Sequence, residues 1–394
     1  MAHNISVDRI VEACGDGAQD GGITIRTALE PLAGPGAPVK PAIYAGGAYQ
    51  LDRRWWGDDG ERRPVDAVVI DNVPSQANRL EAALEGLRTE LGIPEIVLEL
   101  SGQEPLPAHI PRRLSSFRFP HRQADAYLRD AMLDGAAFPK SEVGRAIFDA
   151  TADRPVALLE WFPQALLFGF WQSHAGKRTQ AKLARSWTSE IVGFEPASVE
   201  GKQLGLKGDP MNLSVEEIYV DPNDDMDWEL PKDGKKPDND RKRKRLADIG
   251  HGQVPVGDTL AAVSCREIRQ QATVSFAGLR RVWVDAGETN ALARALLVSL
   301  GLVAHVAAFG RFFSLRSGCD LRPVDPSWTW LGNSKDEPVE PPTLEDAISL
   351  FRACAERAEA GGLPVGGRWA SEPLVLTPKK SLAEAIRSTY PLDE

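Results

Sequence analysis

Apolar and polar positions alternate along this chain in short blocks whose period switches between two and about 3.6, the mark of strands mixed with helices. Residues 64–70 (PVDAVVI) form a short apolar run that predicts a strand. A polar turn over 71–74 follows. Ala77, Leu80, Leu84, Leu87 and Leu91 then recur at helical spacing, which buries one stripe of the predicted helix. Residues 94–100 (PEIVLEL) predict a second strand, completing a β-α-β unit that suits Rossmann and ferredoxin-like sheets alike. Another helix is predicted over 121–133, with Ala124, Tyr127, Leu128 and Ala131 inward and Arg122 and Arg129 off the stripe. Apolar runs over 156–162 and 166–171 precede a basic stretch and a strand at 189–193.

From 195 to 255 the pattern fails. The segment is rich in Gly, Pro, Asp and Lys, and 221–240 carries eight acidic against three basic side chains just before the run RKRKR at 241–245. With little apolar surface to offset its ordering entropy, it reads as a long projecting or partly disordered insertion. Beyond it the pattern predicts a strand at 260–267, a helix over 272–281, a strongly buried helix over 290–308 and a strand at 312–316. A helix over 344–360 is expected on the outside. No period repeats, and a small sheet with widely separated helices fits α+β better than a doubly wound sheet.

The chain has 394 residues, 42% hydrophobic and 26% charged, enough apolar material for a substantial core; disorder, collagen and a disulfide miniprotein are excluded. Cys14, Cys265, Cys319 and Cys354 lie far apart without a C-x-x-C pair and read as reduced thiols. The uncharged stretch over 295–310 contains Ser299 and His305 and falls short of the roughly 20 apolar residues of a spanning helix, so no membrane segment is expected. Residues 1–17 lack a basic region followed by an apolar run, and a cytoplasmic location is the expectation.

A net charge of −10 argues superficially against a polyanion partner, but the charge is segregated. Residues 111–189 hold twelve Lys or Arg against seven Asp or Glu, whereas residues 1–100 hold nine against sixteen. That distribution permits a basic groove on an acidic body; chance clustering of solvated charges is the other reading.

No G-x-G-x-x-G follows a strand and no G-x-x-x-x-G-K-S/T occurs, so no nucleotide cofactor is expected. The six histidines show no H-E-x-x-H spacing, and no metal is expected. His121, His174 and His251 sit in basic or Gly-rich contexts, where a histidine serves as general base, contacts phosphate or caps a turn. At 71–79 the residues Asn72, Ser75, Gln76, Asn78 and Arg79 cluster where a strand passes into a helix, placing donors beside free N–H groups that attract anions; plain capping by Asn72 or Ser75 is the alternative. Trp171, His174, Lys177, Arg178, Lys182, Arg185 and Trp187 lie within twenty-nine positions, 161–189, that hold no carboxylate. Cations interleaved with aromatics suit single-stranded nucleic acid, because phosphates take the charge and bases stack on rings. An exposed loop with buried tryptophans is the alternative. Arg280, Arg281, Arg311 and Arg316 are further candidates, and the 241–245 run either hugs a phosphate backbone or neutralises its acidic neighbour.

Several of these stretches, taken in order, resemble the guide-RNA-coating backbone subunit of the type I-U (I-G) CRISPR Cascade surveillance complex, a member of the RAMP superfamily. They are Ile70-Asp71 with SQANRLE at 75–81, PHR at 120–122 with ADAYLRD at 124–130, and LLFG at 166–169 with Trp171 and Ser173. SEIVG at 189–193, His251-Gly252, LRR at 279–281 and LRS at 315–317 continue the series, with Gly250 where an Asn is expected. The resemblance implies a modified RRM-like (ferredoxin-like) palm with large inserted finger and thumb elements. It divides the chain into a first palm part with finger insertions (1–194), a projecting insertion (195–258), and a second palm part with C-terminal helices (259–394). The thumb would be that insertion or the segment 32–60 with Trp55 and Trp56.

Under this resemblance the protein is a non-catalytic RNA-binding scaffold. Copies stack head to tail along guide RNA, beside other Cascade subunits, and present its bases to target DNA. Division of labour between backbone grip and base pairing makes this physically sensible. The implied RNA contacts are Asn72, Ser75, Gln76, Asn78, Arg79, Arg122, Trp171, Ser173, His174, Lys177, Arg178, Lys182, Arg185, His251, Arg280, Arg281 and Arg316. A RAMP-superfamily endoribonuclease using His121 or His174 is the alternative. A duplex-DNA regulator is more remote, since no helix-turn-helix with a basic recognition helix is visible.

Overall fold

The computed structural model describes residues 4–57, 61–103, 106–172, 181–199, 201–207, 210–211, 213, 217–224, 226–231, 237, 240–251, 254–369 and 371–390. Its fold is α+β, organised on an eight-stranded sheet in which every neighbouring pair is antiparallel. In chain order the strands are β1 (Gly22–Pro31), β2 (Leu51–Trp56), β3 (Arg63–Asp71), β4 (Trp187–Pro196), β5 (Cys265–Ser275), β6 (Phe313–Arg316), β7 (Cys319–Leu331) and β8 (Glu337–Val339). Across the sheet they run β6-β7-β1-β5-β4-β3-β2, with β8 also on β7. The sheet is thus larger than its apolar runs suggest, because β1 and β7 intersperse polar residues such as Thr24, Arg26 and Glu30, or Asp320, Arg322, Asp325 and Ser327, and lack a continuous apolar signature.

One face is covered by helices α1 (Val7–Ala13), α2 (Val73–Gly86), α3 (Glu288–Phe309) and α4 (Leu344–Ala360). Ile23, Ile25, Trp187, Ala272, Val274 and Trp330 reach from the sheet into a core shared with Ala77, Leu80 and Leu84 of α2, Leu296 and Leu300 of α3, and Phe351 of α4. α2 forms where predicted: Asn72 caps it by accepting from the Ser75 N–H at 3.1 Å, Pro74 sits in the first turn, and Leu80 and Leu84 are fully buried. α3 is apolar all round and long enough to cross a membrane, yet 83% of its apolar window is buried within the protein, as in a core helix. Gly301 lets α3 approach β4, since a Cβ there would lie 2.5 Å from the Trp187 ring.

Several expectations are corrected. The strand in 94–100, Ile96–Glu99, does not join β3; it enters a second sheet, between Arg113–Ser115 and Leu374–Pro378. No β-α-β unit spans 64–100, and the next strand of the main sheet after α2 is β4. The helix over 121–133 breaks into a 3-10 turn (Arg122–Ala124), one α-turn (Ala126–Arg129) and a strand (Ala131–Leu133). Arg122 turns the chain at φ 52°, and Asp125 restarts it as a new cap. The helix over 272–281 is confined to Phe276–Leu279, because β5 continues to Ser275, paired on both sides by β1 and β4. α4 packs on α3 and buries Ala347, Ile348, Phe351, Cys354 and Ala358, so it is not peripheral. The 195–258 segment contains a hairpin (Lys202–Lys207 with Val254–Leu260) and a three-stranded sheet held by a small core of Ile218, Val220 and Leu246.

Candidate nucleic-acid interface

Asp71 ends β3 at the floor of the main polar cluster and is fully buried. Its carboxylate accepts from Ser75 Oγ at 2.9 Å, Gln76 Nε2 at 2.6 Å, Arg79 Nε at 2.9 Å and Arg316 Nη2 at 2.6 Å. Arg79 also donates to the Leu315 carbonyl, and Arg316 to those of Lys40 and Ile70. The network continues inward: Gln76 Oε1 accepts from Ser189 Oγ and Gln270 Nε2. Gln76 is therefore a core residue, beyond the reach of a phosphate. Arg79 and Arg316, each about a quarter exposed, are held mainly by one shared carboxylate. Asn78, on the outer side of α2, is exposed, and Asn72 and Ser75 are partly exposed.

Farther along α2, Glu81 meets Arg122 in a buried bidentate pair, with both oxygens at 2.8 Å. Burial pushes the Glu81 carboxyl up against the pull of Arg122. Arg122 also donates to the Gly169 carbonyl at 3.1 Å, so it bolts α2 to the root of the hairpin Phe170–Gln172/Ala181–Leu183. Arg122 is a structural residue and not the surface contact expected.

On the hairpin, Trp171 is 58% exposed, with Lys182 Nζ 5.8 Å from its ring centre. Arg185 follows at the hairpin's base, near Glu81 and Arg122; enclosure of its guanidinium, then repulsion from Arg122, lowers its pKa. Ser173, His174, Lys177 and Arg178 lie outside the described residues.

Other candidates make separate contacts. Arg280 donates to the Ala13 and Asp20 carbonyls, and Arg281 to that of Gly278, in the turn after β5, whose Ser275 N–H donates to the carbonyl of Ser186 next to Arg185. His251 is exposed in the insertion, 5.9 Å from the Trp228 ring. His121 is exposed beside α2's partner turn, its backbone N–H donating to Asp125. In the 241–245 run, Arg241, Arg243 and Arg245 pair with Asp227, Glu217 and Asp248 respectively, so that part of the run neutralises its acidic neighbourhood. Among the described residues no three His, Cys, Asp or Glu side chains gather as a metal site.

The face of the sheet opposite the helices carries a second cationic region. A cleft of about 670 Å3 opens there, lined by Arg26, Trp56, Phe194, Arg266, Glu267 and Arg269 among others. Trp56 stacks on Phe194, and Arg266 lies over the Trp56 ring at 5.1 Å.

A family model described as CRISPR-associated protein GSU0053 matches residues 23–197. Over that segment the chain is similar to CRISPR-associated proteins. No curated protein matches its sequence. The matched segment runs from β1 through β4. It therefore holds Asp71, α2, the Glu81–Arg122 pair and the strands Phe170–Gln172 and Ala181–Leu183, but not β5, α3 or β7, nor the Gln270 and Arg316 members of the Asp71 network. Sequence reasoning missed Arg26, Arg54, Arg266 and Arg269. The signal available was the order Arg53-Arg54-Trp55-Trp56 with Arg62-Arg63 close behind, cations beside aromatics like those at 171–185.

Proposed function

We propose that this protein is a CRISPR-associated, non-catalytic backbone subunit of a Cascade-type effector complex. It coats guide RNA without regard to sequence, stacks with further copies and other subunits in the cytoplasm, and presents the guide to target DNA. The observation that carries the reading is the join between α2 and the carboxylate-free hairpin. Arg122 fastens the two together, and Asn78 on α2 and Trp171, Lys182 and Arg185 at the hairpin are all exposed. Exposed cations beside an exposed ring, with no acid in the same stretch, grip a ribose-phosphate strand whatever its bases.

The strand order supports an RRM-like palm. β7-β1-β5-β4 is the ferredoxin-like arrangement, in which the fourth, first, third and second strands of the motif lie side by side, with α2 between its first and second strands and α3 between its third and fourth. The segments between these elements would be finger and thumb.

Protein purified from cells that co-express guide RNA should carry RNA of uniform length. Lys182→Glu combined with Arg185→Glu should remove most of it. An ultraviolet absorbance ratio typical of clean protein, at low salt with guide RNA present, would overturn the reading. Cleavage of repeat RNA that disappears in His121→Ala would overturn its non-catalytic part.

A further inference from the structure

The sheet face turned away from α2 and α3 is arranged in rows set by strand register. Thr188, Thr273, Thr24 and Thr329 stand side by side across β4, β5, β1 and β7. Glu190, Gln271, Arg26 and Ser327 form the next row. A polar row alone says little, since one face of an antiparallel sheet is commonly solvated. The cleft toward β2 says more. Five arginines, two glutamates and no lysine are among its lining residues. Guanidinium in place of ammonium suits planar, bidentate recognition of phosphate.

The cleft's cations are held in place. Glu267 accepts from Trp56 Nε1 at 3.1 Å and from Arg269 Nε at 2.6 Å, fixing ring and guanidinium together on the floor. Glu195 accepts from Arg266 at 2.8 Å and also pairs with Arg63, so one carboxylate positions two guanidiniums and neutralises one. Glu195 does so at φ 47°, a left-handed conformation that a non-glycine side chain rarely adopts. Arg26, exposed near the middle of the sheet, has no carboxylate partner among the described residues.

We propose that this cleft is a second nucleic-acid site, binding the phosphodiester backbone of a single strand on the side of the sheet opposite α2. Arg26 and Arg269 take phosphates, Gln271 and the threonine row meet sugar and base edges, and the Trp56–Arg266 pair receives an unpaired base. An acidic peptide would satisfy the guanidiniums but leave the ring and the neutral rows without a counterpart. The inference rests on the reading of the protein as a nucleic-acid-binding subunit, and adds a surface that the α2 side does not include.

The test uses the full chain, freed of cellular RNA, titrated with fluorescent oligouridylate and oligothymidylate at several salt concentrations. Arg26→Glu should weaken binding about tenfold and lower the salt slope by about one. Arg266→Gln should weaken it less, and a 4-thiouridine strand should crosslink to the peptide containing Trp56. Both variants binding like wild type, or crosslinks confined to the peptide 170–185, would overturn the proposal. If Arg185→Glu abolishes binding while Arg26→Glu does not, the cleft fails and the guide-RNA reading stands. If wild type binds neither oligonucleotide and carries no cellular RNA, both fail. Polyglutamate binding that depends on Arg26, with no oligonucleotide bound, would assign the cleft to an acidic protein and overturn the proposal.

Discussion

The two sides of the main sheet are both rich in arginine and use it differently. On the helix-covered side, Arg79, Arg122 and Arg316 face buried carboxylates, and Arg294, fully buried, reaches Asp16 at 2.6 Å. On the uncovered side, Arg54, Arg63, Arg266 and Arg269 make partly exposed pairs, and Arg26 makes none among the described residues. A buried guanidinium is committed, because leaving its partner unpaired in the core is expensive. A solvated one is available to a ligand, because water already competes for its pair. A dense cationic stretch in a sequence therefore marks a ligand surface only where the fold leaves its carboxylates elsewhere.

The sharpest way to break this comparison is Asp71→Ala. It strands two guanidiniums and the Gln76 amide, and should cost about 3–5 kcal/mol in urea unfolding. Next, Arg122→Met leaves Glu81 buried without its partner and frees the Gly169 carbonyl, with an expected loss of about 3 kcal/mol. A loss under about 1 kcal/mol, the range of exposed pairs, would return Arg122 to the RNA-contacting set.

His305 gives a pH test of the covered side. Burial drives its pKa down from 6.5 to about 3, so folded protein keeps the ring neutral while the unfolded chain protonates near 6.5. Its contribution is full above pH 6.5 and is lost as pH falls below that, by about 1.4 kcal/mol per pH unit, or about 2 kcal/mol by pH 5. His305→Leu should show a flatter stability profile between pH 7 and pH 5 in thermal melts. The smallest effect belongs to the open face: Arg54→Gln, which loses pairs to Glu190 and Asp52, should cost less than about 1 kcal/mol, and less still at high salt.

Much of the fold is legible in local pattern. α2, α3 and α4 announce themselves by spacing or by an unbroken apolar run, and β3 and β4 by β-branched blocks. Residues 272–281 do not, because Ala272, Val274 and Phe276 suit either period and only pairing with β1 and β4 decides for strand. The apparent β-α-β unit misleads for a related reason: hydrophobic pattern says that 96–99 is a strand, not which sheet receives it. At the site, the 71–79 cluster is visible as a cluster, but its meaning inverts once Asp71 proves to be its centre. The open face is nearly silent in sequence, since Arg26 is a single polar residue in an alternating strand and the run Arg269-Gln270-Gln271 does not record which of its members faces outward.

The sequence by itself determined the mixture of strands and helices, the cap and stripe of α2, the acid-free stretch before β4 and the likeness to CRISPR subunits, because each is written in neighbouring residues. Only the tertiary structure decided which arginines are committed and which are offered to solvent. Asp71 and Arg316 lie 245 positions apart, and no local period records that they meet.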